Sequence, residues 1–384
     1  MLEAAQFVEA ARARGFDFYA GVPCSFLTPF INYVIADHTL RYLSAANEGD
    51  AVAAVAGASL GGRRGVAMMQ NSGLGNAVSP LTSLTHIFRI PMLLICTHRG
   101  APGVQDEPQH ALMGEITEQM FETMRIPWET FPKHVDEVGP ALARACAHMD
   151  THQTPYALIM QKGTVAPFPL REQALPKPAR AAHITGAAFD LGRDAELSRE
   201  AALRRLVAEV PATGSVILAT TGFTGRELYA VEDRANHLYM VGSMGCISSL
   251  GLGLAVNRPD LQVYVVDGDG AALMRMGNLA TVGTYGGDNL HHILLDNAAH
   301  DSTGAQATVS PNVDFAEIAR ACGYARVARG ENEAALAAFL SARGAGPGFL
   351  HLRIRTGARD DLPRPRITPP EVLARLRAHC GSVP

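Results

Sequence analysis

Cysteine is sparse in this chain and nowhere clustered. The six residues Cys24, Cys96, Cys146, Cys246, Cys322 and Cys380 form no CxxC pair. That argues against a zinc site and fits free thiols in a reducing compartment, so a cytoplasmic protein is expected. A large charge of either sign is missing too. A net charge of −4 leaves no electrostatic footprint for nucleic acid or an anionic membrane surface. No apolar run is long enough to span a bilayer. The opening Met1-Leu2-Glu3-Ala4-Ala5 carries an acid and no basic stretch before an apolar core, so no secretory signal is expected there. Low-complexity tracts and a convincing internal repeat are likewise absent.

What is present describes a well-cored globular protein, with 47% hydrophobic and 18% charged residues. At 384 residues two domains are expected rather than one. The first unit opens with an amphipathic segment over 2–14, apolar at Ala5, Phe7, Val8 and Ala11. Strands are predicted over 16–20, 65–69, 91–97 and 156–161, with helices between them. One of these helices covers 26–36, with Ser25 as its cap, and another is the small-residue run 50–60. Residues 165–197 carry Pro167, Pro169, Pro176 and Pro178 without a sustained period, and read as a linker. A second unit follows, with a helix over 198–209 and strands over 215–220, 238–241, 262–266, 291–295 and 349–353. Alternating strands and helices imply mostly parallel sheets covered on both faces.

The chemistry-bearing residues gather at predicted strand ends. The apolar run 263–266 leads into Gly268-Asp269-Gly270, and 293–295 leads into Asp296-Asn297. A parallel sheet places both turns at its carboxyl edge, where open α/β sheets bind ligands. Asp269 and Asn297 are hard oxygen donors, suited to an octahedral Mg²⁺ that also holds a phosphate. The flanking glycines permit close backbone approach to a diphosphate. Gly242-Ser243-Met244-Gly245 precedes a small-residue helix and offers amides and a hydroxyl to the same kind of group. It reads equally as a tight turn that needs glycine. Thr220-Thr221-Gly222 ends another strand at this edge.

In the first unit, Asn47-Glu48-Gly49-Asp50 opens the small-residue helix, and a carboxylate there is either a cap or a functional acid. The segments 70–76, 97–100 and 106–110 are unusually polar. They are either exposed turns or ligand loops in which Arg99 and the histidines hold an anion or shuttle a proton. The donor-rich segment 300–304 leaves the same choice open.

Together these motifs resemble the phosphonopyruvate decarboxylase family of thiamine diphosphate-dependent decarboxylases, with the sulfopyruvate decarboxylases as close relatives. The resemblance is carried by GVPCSF at 21–26, NEGDA at 47–51, QNSGLGN at 70–76, RG at 99–100, DEPQH at 106–110 and KGT at 162–164. It continues with TTG at 220–222, GSMG at 242–245, GDGAALMRMG at 268–277 and LLDNAAHDSTG at 294–304. It implies two thiamine diphosphate-fold domains of the α/β class, each a mostly parallel sheet flanked by helices, with no middle domain. Residues 1–165 would bind the pyrimidine, 166–197 would link, and 198–384 would bind the diphosphate.

The resemblance also implies roles. Glu48 would be the carboxylate that activates the aminopyrimidine. Asp269 and Asn297 would hold Mg²⁺ with the Ala299 carbonyl. Thr221, Gly222, Gly242, Ser243, Met244, Gly268, Gly270 and Ala271 would line the cofactor. Ser25, Asn71, Arg99, His110 and Lys162 are the candidates for anchoring the substrate anion, and His110 or His300 for supplying a proton. The family pattern has glycine where Ala298 and Ala305 stand, and asparagine where Asp296 stands.

The implied reaction is non-oxidative decarboxylation of 3-phosphonopyruvate to phosphonoacetaldehyde and CO₂, in a homodimer or larger homo-oligomer with active sites between subunits. Sulfopyruvate decarboxylation is the nearest alternative. A pyruvate-using carboligase and a silent cofactor-binding protein are further ones, though a mere binder has no need of Glu48.

Overall fold

The computed structural model describes residues 1–171 and 176–382. The chain divides near residue 175 into two compact units. In the first, six strands form one sheet: β1 (Phe16–Gly21), β2 (Arg41–Ser44), β3 (Arg64–Met69), β4 (Leu93–Thr97), β5 (Trp128–Thr130) and β6 (Tyr156–Met160). Their order is β2-β1-β3-β4-β6-β5, and every pairing is parallel. Parallel strands are covered on both faces, which is why β4 and β6 are buried at every position and apolar but for Thr97.

On one face the helices Ala4–Arg12, Thr28–Ala36 and Val135–His152 enclose a ring cluster. Phe7 stacks on Phe131 at 4.5 Å and meets Phe30 edge-on at 5.6 Å. Against β1 and β3 lies the helix Glu48–Leu60, buried along its whole length. Its Ala, Gly and Val side chains let its axis come close to the sheet. The expectation that Ser25 caps the helix after β1 is not met. That helix starts at Thr28 behind Leu27, with no side-chain cap, and the Ser25 hydroxyl accepts from Arg99 instead.

The second unit carries β7 (Ile184–Thr185), β8 (Ser215–Ala219), β9 (His237–Tyr239), β10 (Gln262–Gly268) and β11 (Leu290–Asp296). A short ribbon follows, β12 (Ala299–His300) against β13 (Gln306–Ala307), and then β14 (Arg326–Gly330) and β15 (Gly348–Arg353). The large sheet runs β7-β14-β15-β11-β10-β8-β9, again parallel throughout. The buried helix Ile247–Asn257 packs on β10.

Part of the expected linker belongs to this unit. Residues 172–175 lie outside the described residues, but β7 pairs with β14 and the Ala181 amide donates to the Tyr324 carbonyl at 2.8 Å. A two-residue edge strand needs backbone groups rather than apolar periodicity, so the sequence pattern passes over it. The same reason hides β2, β5 and β14, which are short or mix arginine into their faces. Among the described residues no helix is long and apolar enough to cross a membrane.

Two buried imidazoles in the second unit are held neutral. Arg326 donates to His291 Nδ1 at 3.1 Å, so Nε2 carries the proton and donates to Gln262 Oε1 at 2.9 Å. Burial, with Arg326 and Arg343 nearby, pushes the His291 pKa down to about 3. Burial pushes His237 down to about 4, opposed by its bond to the Glu232 carbonyl. Below the ordinary histidine range the unfolded chain takes up protons that the native state refuses. Their stability contribution is therefore complete above about pH 6.5 and is lost as pH falls towards 3–4. Urea midpoints should drop between pH 7.5 and 5.0, and the drop should be smaller in His291→Gln. An equal drop in that variant would clear His291 of the effect.

Candidate functional site

In the second unit the carboxyl ends of β8, β10 and β11 bring the predicted residues to one edge. Thr221 and Gly222 follow β8, and Gly222 starts the helix Phe223–Val231 with φ 90°. A Cβ on Gly222 would lie 3.3 Å from Ser302 Oγ. Gly242, Ser243 and Met244 follow β9, with Ser243 buried in a left-handed conformation at φ 50°. Gly268 ends β10, and Asp269, Gly270 and Ala271 form the first turn of the helix Asp269–Met274. A Cβ on Gly270 would stand 2.3 Å from His300 Cε1 and 3.2 Å from Met244 Cε. His300 thus lies directly over the turn, and only glycine fits beneath it.

The donor set at this edge suits a hard cation. Asp269 is 3% exposed, and burial pushes its carboxyl up to about 6, with Asp296 adding repulsion. The Thr308 hydroxyl donates to its Oδ2 at 2.5 Å and works the other way. A cation beside Asp269 removes that desolvation penalty. Asn297 is buried, and its Nδ2 donates to Asp301 at 2.7 Å.

Asp296 turns away from this donor set. It accepts from His351, from the Ser310 hydroxyl and from the Ala298 amide, each within 2.9 Å. Burial alone would raise its carboxyl, but these bonds outweigh it and hold the group below the usual range. Ala298 and Ala305 both sit at positive φ, 57° and 60°. That explains the glycines of the family pattern at these positions, because a Cβ is strained there. Among the described residues no three His, Cys, Asp or Glu side chains cluster as a metal site. Asp296 and Asp301 spend their oxygens on hydrogen bonds, so a cation beside Asp269 would need further anionic oxygens such as those of a diphosphate.

In the first unit Glu48 is the first residue of the helix Glu48–Leu60, capped by Asn47, whose side chain accepts from the Gly49 amide at 2.8 Å. Its carboxylate is 9% exposed and accepts from Asn76 Nδ2 at 2.8 Å. Gly73 lies against it, and a Cβ there would be 2.1 Å from Glu48 Oε1. Cap and functional acid are separated by this geometry. Asn47 does the capping, and the Glu48 carboxylate points across to the segment after β3.

The candidate anion anchors are less uniform. Arg99 is not a free cation. Its Nε donates to Asp106 at 2.6 Å, a second nitrogen bonds the same carboxylate, and Nη1 donates to Ser25 at 3.1 Å. The Arg99 hydrogen bond in turn holds the Asp106 carboxyl well below the usual carboxylate range. Asn71 is fully buried, donating to the Arg99 carbonyl and to Thr117. His110 is buried with Nδ1 unpartnered among the described residues, whereas Lys162 sits on an exposed turn after β6. Asn76, Thr308 and the Asp301 contact were not assigned roles from sequence. Asn76 lies within a motif that pointed to a ligand loop, but nothing in the sequence marks Thr308.

Comparison with known proteins agrees with this division. Residues 2–121 match the thiamine pyrophosphate enzyme N-terminal TPP binding domain, and 221–352 match the C-terminal TPP binding domain. A phosphonopyruvate decarboxylase of Streptomyces viridochromogenes is 46% identical, over 100% of this chain and 96% of its own. A sulfopyruvate decarboxylase of Methanosarcina acetivorans is 28% identical, over 96% of this chain and 95% of its own. Among solved structures, the thiamine diphosphate-dependent 4-hydroxybenzoylformate decarboxylase of Rhodococcus jostii RHA1 superposes with a TM-score of 0.70. It is 13% identical, over 93% of this chain and 100% of its own, and so speaks to the fold alone.

The contact between Gly73 and Glu48 is directly testable. Gly73→Ala should displace the carboxylate and break its bond to Asn76, at a cost of about 1–3 kcal/mol for overpacking. Gly75 faces open space among the described residues, so Gly75→Ala should leave the urea midpoint unchanged or raise it. Equal midpoints for the two variants would contradict the packing described.

Proposed function

The chain belongs to the phosphonopyruvate decarboxylase family of thiamine pyrophosphate enzymes, and from that premise we propose that it converts 3-phosphonopyruvate to phosphonoacetaldehyde and CO₂. The end-to-end likeness to a phosphonopyruvate decarboxylase carries the substrate assignment. Thiamine diphosphate, when bound, supplies the nucleophilic carbon and the electron sink that loss of CO₂ from a 2-oxo acid requires.

The residues present fit that group. Glu48 is a buried carboxylate cleared by Gly73 and oriented by Asn76, which suits a hydrogen bond to a ring nitrogen of the aminopyrimidine. Asp269, Asn297 and the Ala299 carbonyl would hold Mg²⁺, whose remaining coordination would go to diphosphate oxygens and water. The backbone at Thr221, Gly222, 242–244, Gly268, Gly270 and Ala271 would approach the diphosphate, as helix starts at a sheet edge commonly do.

On the substrate side, Ser25, Asn71, Arg99, His110 and Lys162 remain the proposed contacts. Arg99 acts there as an oriented donor rather than a spare charge, because Asp106 already balances it. His110 and His300 are the proposed proton carriers, His110 through the unpartnered Nδ1. The proposed assembly is a homodimer or larger homo-oligomer in the cytoplasm. Sulfopyruvate is the second reading, supported by the full-length likeness to a sulfopyruvate decarboxylase. Its sulfonate carries one negative charge less than a phosphonate dianion.

CO₂ release with thiamine diphosphate and Mg²⁺, measured in parallel on phosphonopyruvate, sulfopyruvate and pyruvate, tests the proposal. Phosphonopyruvate should lead in kcat/KM by orders of magnitude. Glu48→Gln should lose about 10²–10⁴-fold, the usual share of a positioned acid or base. A lead for sulfopyruvate or pyruvate would overturn the substrate and leave the cofactor assignment standing. No turnover of any of the three would favour a silent binder.

A further inference from the structure

Behind the Asn297 loop lies a group of charged side chains that no step above uses. Arg199 is the first residue of the helix Arg199–Glu209, whose cap is Ser198. Its Nη1 donates to Glu227 Oε1 at 3.0 Å, and its Nη2 donates to Asp301 Oδ2 at 2.5 Å. The side chains of Arg199, Glu227 and Asp301 are 6%, 3% and 5% exposed. The same Asp301 Oδ2 accepts from Asn297 Nδ2 at 2.7 Å and from the Gly357 amide at 3.0 Å. Three donors thus converge on one carboxylate oxygen, and one of them is the amide of a proposed Mg²⁺ ligand.

A carboxylate only accepts hydrogen bonds. The amide atom facing Asp301 must therefore be the nitrogen, and Asn297 Oδ1 accepts a longer bond, 3.3 Å, from the Ala299 amide, which favours the same orientation. An asparagine amide on its own presents either end with little difference in energy. Coordination to a hard cation needs the oxygen. We propose that Asp301, locked by Arg199, is a positioning residue that selects the metal-binding orientation of Asn297 and so sets the affinity for Mg²⁺. The other end of the loop is held separately, by the Asp296 bonds to Ala298, Ser310 and His351. Asp301 thus controls the amide orientation rather than the whole path of the loop. Removing hydrogen-bond partners of metal ligands commonly weakens binding by about 10–100-fold.

The inference rests on the reading of Asp269 and Asn297 as Mg²⁺ ligands, and calorimetric titration of Mg²⁺ into the full chain at saturating thiamine diphosphate separates the two. Wild-type protein that shows no Mg²⁺ binding would overturn that reading and the inference with it. If the wild type binds, Asp301→Ala should weaken Mg²⁺ by about 10–100-fold, because it removes the acceptor that holds Asn297 Nδ2. Glu227→Gln removes charge from the same group without touching the amide and should leave the affinity unchanged.

Asp301→Asn keeps an acceptor in place, because Arg199 and the Gly357 amide hold its carboxamide oxygen where Oδ2 stands. It should bind Mg²⁺ close to the wild-type affinity, which separates positioning from loss of the negative charge. Wild-type affinity in Asp301→Ala, or an equal loss in Glu227→Gln, would overturn the inference. Should Asp301→Ala fail to fold by circular dichroism, Asp301→Glu, which keeps the charge and shifts the acceptor by one methylene, takes its place. Weakened Mg²⁺ binding in Asp301→Glu supports the inference, and wild-type affinity overturns it.

Discussion

Glu48 and Asp269 occupy matching places in the two units. Each is buried, each is the first residue of a helix, and each helix begins just past the carboxyl edge of a parallel sheet. Burying a carboxylate costs several kcal/mol unless it is paired or hydrogen-bonded. The helix start offers amide hydrogens and the positive end of the dipole. Among the described residues neither carboxylate has a cationic side chain as a hydrogen-bond partner. Glu48 has the Asn76 amide, and Asp269 has the Thr308 hydroxyl. Both therefore keep spare acceptor capacity, which the proposed function assigns to the cofactor ring in one case and to a cation in the other.

The surrounding architecture follows from keeping those two positions dry and accessible. Helices Glu48–Leu60 and Ile247–Asn257 are buried almost throughout, the first carrying mostly Ala, Gly and Val and the second setting Gly251 against Val265 of β10. Bulk is withheld at Gly73 and Gly270, where a single methyl would collide with Glu48 or His300. Charge is handled in the opposite way elsewhere. Arg99 with Asp106, and Arg199 with Glu227 and Asp301, are paired internally. These cations orient neighbours and do not stand as free attractors of anions.

Much of both sheets was legible in the sequence, because parallel strands buried on both faces are written as unbroken apolar runs. β4, β6 and β10 announce themselves in that way, and β11 does so over 293–295 although His291 and His292 interrupt it. Short edge strands do not, since one exposed side and two to five residues leave no pattern to detect. Ser25 shows a local rule overridden by a tertiary one. A serine before a helix suggests a cap, yet its hydroxyl is taken by an arginine 74 residues away. At 298 and 305 the structure supplies what the sequence did not, since both alanines sit at the positive φ that the family's glycines adopt without strain.

Chain order and residue type alone determined the class of fold, the two units, and which strand ends carry oxygen donors, glycines and the decisive acid. Those features are local, set by apolar runs and the turns that end them. Tertiary structure decided which atoms those side chains present. That Asn76 rather than solvent meets Glu48 and that Thr308 takes one oxygen of Asp269 depend on contacts between distant segments, and the local bond from Asn297 to Asp301 is backed by a remote partner. Arg199 reaches Asp301 across 102 positions. Sequence spacing carries no trace of such a contact, because it is made only when two helices and a loop converge beside the same sheet edge.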